Sequence, residues 1–185
     1  MKHYQINNEQ NFINLAIISD THSYLDARIL DVVERCDAVL HAGDIGDAQI
    51  LNTLAEMGKT VIAVAGNNDL PQLWSAEQRE IVQSLPQSVR ITLPGGEIFA
   101  EHGHRLGGNP DHGALRDSHP NARIIVYGHT HKQVFDQHAE PWVLNPGAAG
   151  AIRTHGGPKC AVITADKDRW DIELFQFAEG QQQVA

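Results

Sequence analysis

Five short segments of this 185-residue chain carry side chains able to hold a metal ion, and each comes directly after an apolar stretch. Asp20 and His22 follow residues 14–19, Asp44 follows 38–41, and Asn67 follows 60–65. His102 follows 97–101, and His129 and His131 follow 123–127. The set comprises carboxylates, imidazoles and one amide carbonyl, without a thiolate. Such donors suit Mn²⁺, Fe, Zn²⁺, Ni²⁺ or Co²⁺ rather than a structural thiolate zinc site. In Asp-x-His and His-x-His, side chains two apart on extended backbone face the same way, so each pair is expected to offer two ligands to one cavity. The seven donors are too many for one ion and suit two, provided one carboxylate bridges. Asp44, a lone carboxylate at a central strand end, is the natural bridge. Two ions about 3.5–4 Å apart clamp the attacking and leaving oxygens of an in-line phosphoryl displacement. Two divalent ions set against two carboxylates and a hydroxide leave a charge of about +1, which favours a monoanionic phosphodiester over a dianionic monoester.

The elements that must position these groups can be read from punctuation and periodicity. The unalternating run at 14–19 predicts a strand buried on both faces. Leu25, Ile29, Val32 and Val33 fall at helical spacing over 25–35. A strand at 38–41, a helix over 47–57 closed by Gly58 and a strand at 60–65 complete a β-α-β-α-β pattern. Its short connections predict a parallel sheet with right-handed crossovers. In such sheets ligands bind beyond the carboxyl ends of the strands, so all five segments are expected at one edge. The second half differs. Residues 88–93 and 97–101 flank Pro94-Gly95-Gly96, a hairpin signal. A short helix near 111–117, a strand at 123–127, short strands near 133–136 and 142–144, and a closing hairpin of 159–165 with 169–175 follow. The whole of 1–185 reads as a single domain. Residues 1–12 form a solvated, peripheral lead-in and 178–185 a peripheral tail, frayed at Gln181–Gln183.

Composition narrows the partners. Lys and Arg number 14 against 23 Asp and Glu, a formal net charge of -9. Phosphate neutralisation needs a basic patch, so long nucleic acids and anionic membrane surfaces are not expected partners. No apolar run reaches the ~18 residues of a membrane span, and the first ten residues lack a signal peptide's apolar core. The expected setting is the cytoplasm. The 2 cysteines, Cys36 and Cys160, make no framework and are expected as small buried apolar groups. Histidine is the type in excess, with 11 residues, and it is the commonest metal ligand.

Taken in order, Asp20-Thr21-His22, Gly43-Asp44, Gly66-Asn67-Asn68-Asp69, His102-Gly103-His104, Gly128-His129-Thr130-His131 and Asn145-Pro146-Gly147 resemble the calcineurin-like metallophosphoesterase superfamily. The likeness is greatest to its small single-domain phosphodiesterases of the YfcE type and spans residues 14–175. It implies an α/β fold, a four-layer α-β-β-α sandwich of two mixed sheets flanked by helices. It also implies two divalent ions, Mn²⁺ first among them. One would take Asp20, His22, Asp44 and His131; the other Asp44, Asn67, His102 and His129. The nucleophile implied is a metal-bridging hydroxide, acidified toward ~7. The activity implied is hydrolysis of small, nucleotide-like phosphodiesters, with Asp44, Asn67, Asn68 and His104 as the catalytic group. Small relatives often form dimers or tetramers.

One position departs from the pattern. Where many members have a histidine after the metal-binding Asn, and the small bacterial group often Cys, this chain has Asn68. An amide donates a hydrogen bond to a phosphoryl oxygen but delivers no proton at neutral pH. His104 is the candidate replacement acid. The departure keeps open a phosphomonoesterase or a pyrophosphate hydrolase on the same site. A scaffold subunit of the retromer complex resembles this fold as a binding module, but it lacks the full ligand set. Plainer readings also exist. Asp20 and Asp44 could each cap the helix that follows. His41 reads as a packed residue, and His112, His119, His138 and His155 as surface residues. Arg105 and Arg153 read as solvated, and Gly107-Gly108 and Gly156-Gly157 as mobile loops near the site mouth.

Overall fold

A computed structural model describes residues 1–7 and 12–179. The first sheet is built on β2 (Phe12–Ile18), β3 (Ala38–His41) and β4 (Thr60–Ala63), which pair in parallel through the crossovers α1 (Ala27–Glu34) and α2 (Ala48–Glu56). Two further strands, β10 (Lys159–Asp166) and β11 (Trp170–Gln176), join it antiparallel on the other side of β2. The order is β11-β10-β2-β3-β4. The second sheet collects β5 (Ser88–Leu93), β6 (Gly96–Glu101), β7 (Ile124–Val126), β8 (Gln133–Asp136) and β9 (Trp142–Pro146). Its edge beyond β5 is β1 (Lys2–Gln5), giving the order β1-β5-β6-β7-β9-β8.

Strand alternation produces the layers. Along β2, Leu15 and Ile17 point between the sheets, where they meet Ile62, Ile91, Ile98, Val126 and Leu144. Ala16 and Ile18 point the other way, onto Ile29 and Val33 of α1 and Leu54 of α2. That face also takes Val82 from α3 (Arg79–Ser84). The outer face of the second sheet, Phe99, Ile125 and Val143, packs on Leu115 of α4 (His112–Ser118). A strand covered on both sides has no polar face to show, which is why the sequence at β2, β3 and β7 runs apolar without alternation. The result is the mixed α/β sandwich of two mixed sheets and four helices.

Three expectations need correction or restriction. The lead-in is not all solvated coil. Lys2–Gln5 pairs in parallel with β5, and Ile6 is buried between the sheets. Apolar Tyr4 and Ile6 alternate there with polar neighbours, but over a stretch too short for periodicity to declare. Between Asp69 and Ser88, where the pattern predicts no element, a 3₁₀ turn at Ala76–Gln78 runs into α3. The frayed tail expected at Gln181–Gln183 lies outside the described residues. Helix capping agrees with aspartates other than the candidate ligands. Asp26 caps α1 through Arg28 N (3.0 Å), and Asp47 caps α2 through Gln49 N (2.8 Å). Asp20 and Asp44 are therefore free of that duty.

Cys36 and Cys160 lie in the helix-side cluster as free, buried thiols. Burial pushes them up to about 11 and about 12. A pKa raised in the folded state favours folding below the unfolded value near 9, and that contribution fades as pH climbs toward 11–12. Both thiols should resist iodoacetamide in native protein at pH 8 and react readily in urea. The urea midpoint should fall between pH 8 and pH 10. Labelling at equal rates with and without urea would contradict this placement.

Candidate metal centre

The loops that leave β2, β3, β4, β6 and β7 meet at one edge of the sandwich. The β2–β3 ladder continues past both strands into them. Asp20 N donates to Gly43 O (3.0 Å), His22 N to Asp44 O (3.0 Å) and Ser23 N to Ile45 O (2.8 Å). Extended backbone does not account for the Asp-x-His and His-x-His pairs, however. Asp20, His22, Asp44, His129 and His131 all have φ between 46° and 64°. Left-handed backbone costs a non-glycine residue on the order of 1–2 kcal/mol. Five of the eight such residues among the described ones are expected ligands, so the strain is concentrated where side chains must converge. The approach also demands glycine. A Cβ on Gly128 would lie 2.0 Å from Ser19 Oγ and 3.1 Å from Asp20 Oδ2.

Two groups of donor atoms result. Asp20, His22 and His131 form one, and Asp20, Asp44 and His102 the other. His22 Nε2 and His131 Nε2 are 3.2 Å apart, and His131 Nε2 is 3.4 Å from Asp20 Oδ1. His102 Nε2 is 3.4 Å from Asp44 Oδ1, and His22 Nε2 is 3.8 Å from Asp44 Oδ2. Ligands about 2.1 Å from a common ion at ordinary coordination angles stand roughly 3.0–3.4 Å apart. Asp20 Oδ1, Asn67 Oδ1 and His102 Nε2 are buried and have no hydrogen-bond partner. Orphaned acceptors of this kind cost about 1–3 kcal/mol each; a cation among them removes that cost. The residues present therefore fit divalent metal. His129 lies at the rim, its ring edge-on to His102 with centroids 5.4 Å apart, while its backbone N–H donates to Asp20 Oδ2 (3.1 Å).

The electrostatics are those of carboxylates and imidazoles buried together. Burial pushes Asp20 up to about 7, the neighbouring Asp44 adding to it and His102 opposing. Burial acts against ionised Asp44 too, but the His102 imidazole and the two donors of Asn68 overcome it and hold this carboxyl well below the usual range. Burial also opposes the charged form of His102, yet Asp44 and Asp20 raise it. His131 falls to about 4 and His22 is lowered, both chiefly through burial. Two of these imidazoles are set by a hydrogen bond on the far nitrogen. Nδ1–H of His131 donates to Ile152 O (2.8 Å), and Nδ1–H of His102 to Ala42 O (2.8 Å). Both Nε2 lone pairs are thus turned into the site, the arrangement metal-binding histidines use.

A ring of residues whose roles are not legible in the sequence braces the loops. Asp69 is buried and accepts from Ile45 N (2.9 Å), Gly46 N (3.0 Å) and Gly66 N (2.8 Å), tying the loops after β3 and β4 together. Asn145 donates to Gly128 O (2.8 Å) and Thr130 Oγ1 (3.0 Å), fixing the His129–His131 loop. Thr21 Oγ1 donates to Ile45 O (2.9 Å) and so accepts from His41 Nε2–H (2.9 Å). His41, brought down to about 3 by burial, is a neutral packed residue as expected. Asp69 and Asn145 do stand inside the quoted motifs, and that is the signal that points to them.

Other expectations come out differently. Asn68 does not face open space: its backbone N–H and its amide donate to the two oxygens of Asp44 (2.8 and 2.7 Å). His104 stands beside His102, ring centroids 5.8 Å apart, and burial lowers its pKa. His112 and His119 are half-buried rather than surface residues. The first bridges Asp136 (2.7 Å) and Tyr127 (3.3 Å), and the second stacks on Phe99. His138 and His155 are exposed. Gly156 and Gly157 pack on the end of β11, with Gln176 Nε2 on Gly156 O (2.9 Å). Arg105 is solvated and pairs with Glu101. Arg153 is not a bystander: its Nη2 is 2.9 Å from His131 Nε2.

The model of the calcineurin-like phosphoesterase superfamily domain matches residues 13–168. A probable metallophosphoesterase of Methanocaldococcus jannaschii is 30% identical over 174 residues, covering 89% of this chain and 82% of that protein. Phosphodiesterase YfcE of Escherichia coli is 28% identical over 166 residues, covering 79% and 84%. Among solved structures, Vacuolar Protein Sorting 29 from Cryptosporidium parvum superposes with a TM-score of 0.71 at 19% identity, covering 90% of this chain and 98% of that one. This last likeness is one of fold.

Proposed function

This chain belongs to the calcineurin-like phosphoesterase superfamily and is a metal-dependent phosphoesterase, and we propose that it hydrolyses small, nucleotide-like phosphodiesters at a dinuclear centre. The observation that carries this reading is the convergence of Asp20 Oδ1 and His102 Nε2, buried atoms with no hydrogen-bond partner, with the carboxylate of Asp44. Asp20, His22, Asp44 and His131 are assigned to one ion. Asp44, Asn67, His102 and His129 are assigned to the other, Mn²⁺ being the first choice for both. Ions held there supply positive charge to the phosphoryl oxygens and acidify water near neutral pH.

The chain's own residues supply position. Asn68 fixes both oxygens of Asp44, so the shared carboxylate keeps one orientation. Ile152 and Ala42 hold the tautomers of His131 and His102. Asp69 keeps two of the loops at a fixed spacing. Asn68, turned onto Asp44, is an amide and delivers no proton to a leaving group. Diesters of acidic alcohols are therefore the favoured substrates. No helix among the described residues is long and apolar enough to cross a membrane, and the net charge of -9 turns long nucleic acids away.

The test compares bis-p-nitrophenyl phosphate with p-nitrophenyl phosphate, after chelation and after Mn²⁺ is restored. Chelated protein should be inactive. Restored protein should cleave the diester and be slower on the monoester. Faster monoester cleavage would move the assignment to a phosphomonoesterase, and activity that survives chelation would overturn it.

A further inference from the structure

The geometry points to Arg153 as the residue that binds the substrate's phosphoryl group. Its guanidinium Nη2 lies 2.9 Å from His131 Nε2, the nitrogen that also faces His22 Nε2 and Asp20 Oδ1. That nitrogen offers a lone pair because the ring's proton is committed to Ile152 O. A guanidinium has donors only, so here it occupies the cation-seeking side of His131. Among the described residues Arg153 has no carboxylate within ion-pair distance, whereas Arg105, the other arginine near the site, pairs with Glu101. A cation aimed at a cation-binding pocket and lacking a counter-ion needs an anion there. When His131 is engaged by an ion, the guanidinium is displaced from its lone pair. A phosphoryl oxygen then becomes the partner that can hold two like charges side by side, and Arg takes phosphate through paired N–H donors.

The loop bearing Arg153 is built to deliver it. Arg153 has φ 50°, a left-handed conformation kept only where surroundings enforce it. Those surroundings are on both sides. Ala149 N donates to Ser19 O (2.8 Å) at the loop's start. At its end Lys159 is buried, and its ammonium donates to the carbonyls of Thr154 (2.5 Å), His155 (2.9 Å) and Gly157 (3.0 Å). A lysine whose ammonium is spent on three carbonyls inside a turn is a device for holding loop shape. The loop keeps its shape while Arg153 itself remains exposed.

This assignment rests on the phosphoesterase reading, and its test separates the two. Inorganic phosphate is titrated calorimetrically into Mn²⁺-loaded wild type, Arg153→Ala, Arg153→Lys and Arg105→Ala, with metal content measured in each. Arg153→Ala should bind phosphate about 10- to 100-fold more weakly at unchanged metal content. Arg153→Lys should recover part of the loss, and Arg105→Ala should match wild type. Equal phosphate affinity in Arg153→Ala overturns the assignment. So does an equal loss in Arg105→Ala, which would mark a general field effect. A fall in metal content in Arg153→Ala would also overturn it, by making Arg153 a brace for His131. Wild type that cleaves no phosphoester while Arg153→Ala still loses phosphate removes the hydrolase reading and leaves Arg153 as an anion-binding residue.

Discussion

Asp44→Asn should lower turnover of bis-p-nitrophenyl phosphate by about a thousandfold, the scale seen when a preorganised charge-stabilising group is removed. The substitution preserves shape and deletes charge. Asp44 is buried between His22 Nε2 (3.8 Å) and His102 Nε2 (3.4 Å), on opposite oxygens. Its two oxygens face histidines from the two different groups. An amide in its place offers one oxygen where Asn68 presents two donors, so one of those donors is left facing an NH₂. Metal affinity and orientation therefore fail together. Because Asp44 is not part of the apolar inter-sheet core, the fold should survive. Metal content, kcat/KM with added Mn²⁺ and thermal unfolding measured on one preparation check this. A variant within tenfold of wild type and with full metal content would remove Asp44 from the centre of the site.

Gly66→Ala should be nearly as damaging for activity and worse for stability. A Cβ on Gly66 would lie 2.1 Å from Asp44 Oδ1 and 2.2 Å from Asp44 N. The second contact is backbone, so no rotamer change relieves it. Gly66 N also donates to Asp69 Oδ2 (2.8 Å), and Asp69 holds Ile45 and Gly46. Pushing the loops after β3 and β4 apart therefore breaks the brace as well as moving Asp44. Overpacking of this kind costs about 1–3 kcal/mol. The displaced carboxylate should cost activity about a hundredfold or more, since an ångström of misplacement is worth that much. Urea unfolding with an unchanged slope but a lower midpoint, together with kcat/KM, measures both. A wild-type midpoint would mean that these two loops do not approach as closely as the structure has them.

Much of this was legible from local pattern. An apolar run that stops at Asp, His or Asn reports a buried strand and the loop beyond it, because burial on both faces leaves no alternation. The parallel β2-β3-β4 unit and the ends that carry Asp20, Asp44 and Asn67 follow from that pattern. Shorter signals failed where pairing was distant. Nothing local in Lys2–Gln5 announces that it pairs with Ser88–Leu93. Likewise nothing in Lys159–Asp166 announces that it lies against β2 rather than joining the second sheet. Backbone detail was hidden as well. The ligand pairs converge through left-handed residues, a conformation no extended-chain alternation predicts.

The sequence by itself determined which chemical groups this protein can bring to a metal and the order in which strands present them, since residue type and burial are local properties. Only the tertiary structure decided that Asn68 serves Asp44, that Asp69 ties two loops together and that Arg153 turns toward His131. Those partners lie 22 to 24 residues apart in sequence, or are set by left-handed backbone angles. Such contacts leave no periodic trace, because they are chosen by the packing of whole sheets rather than by neighbours along the chain.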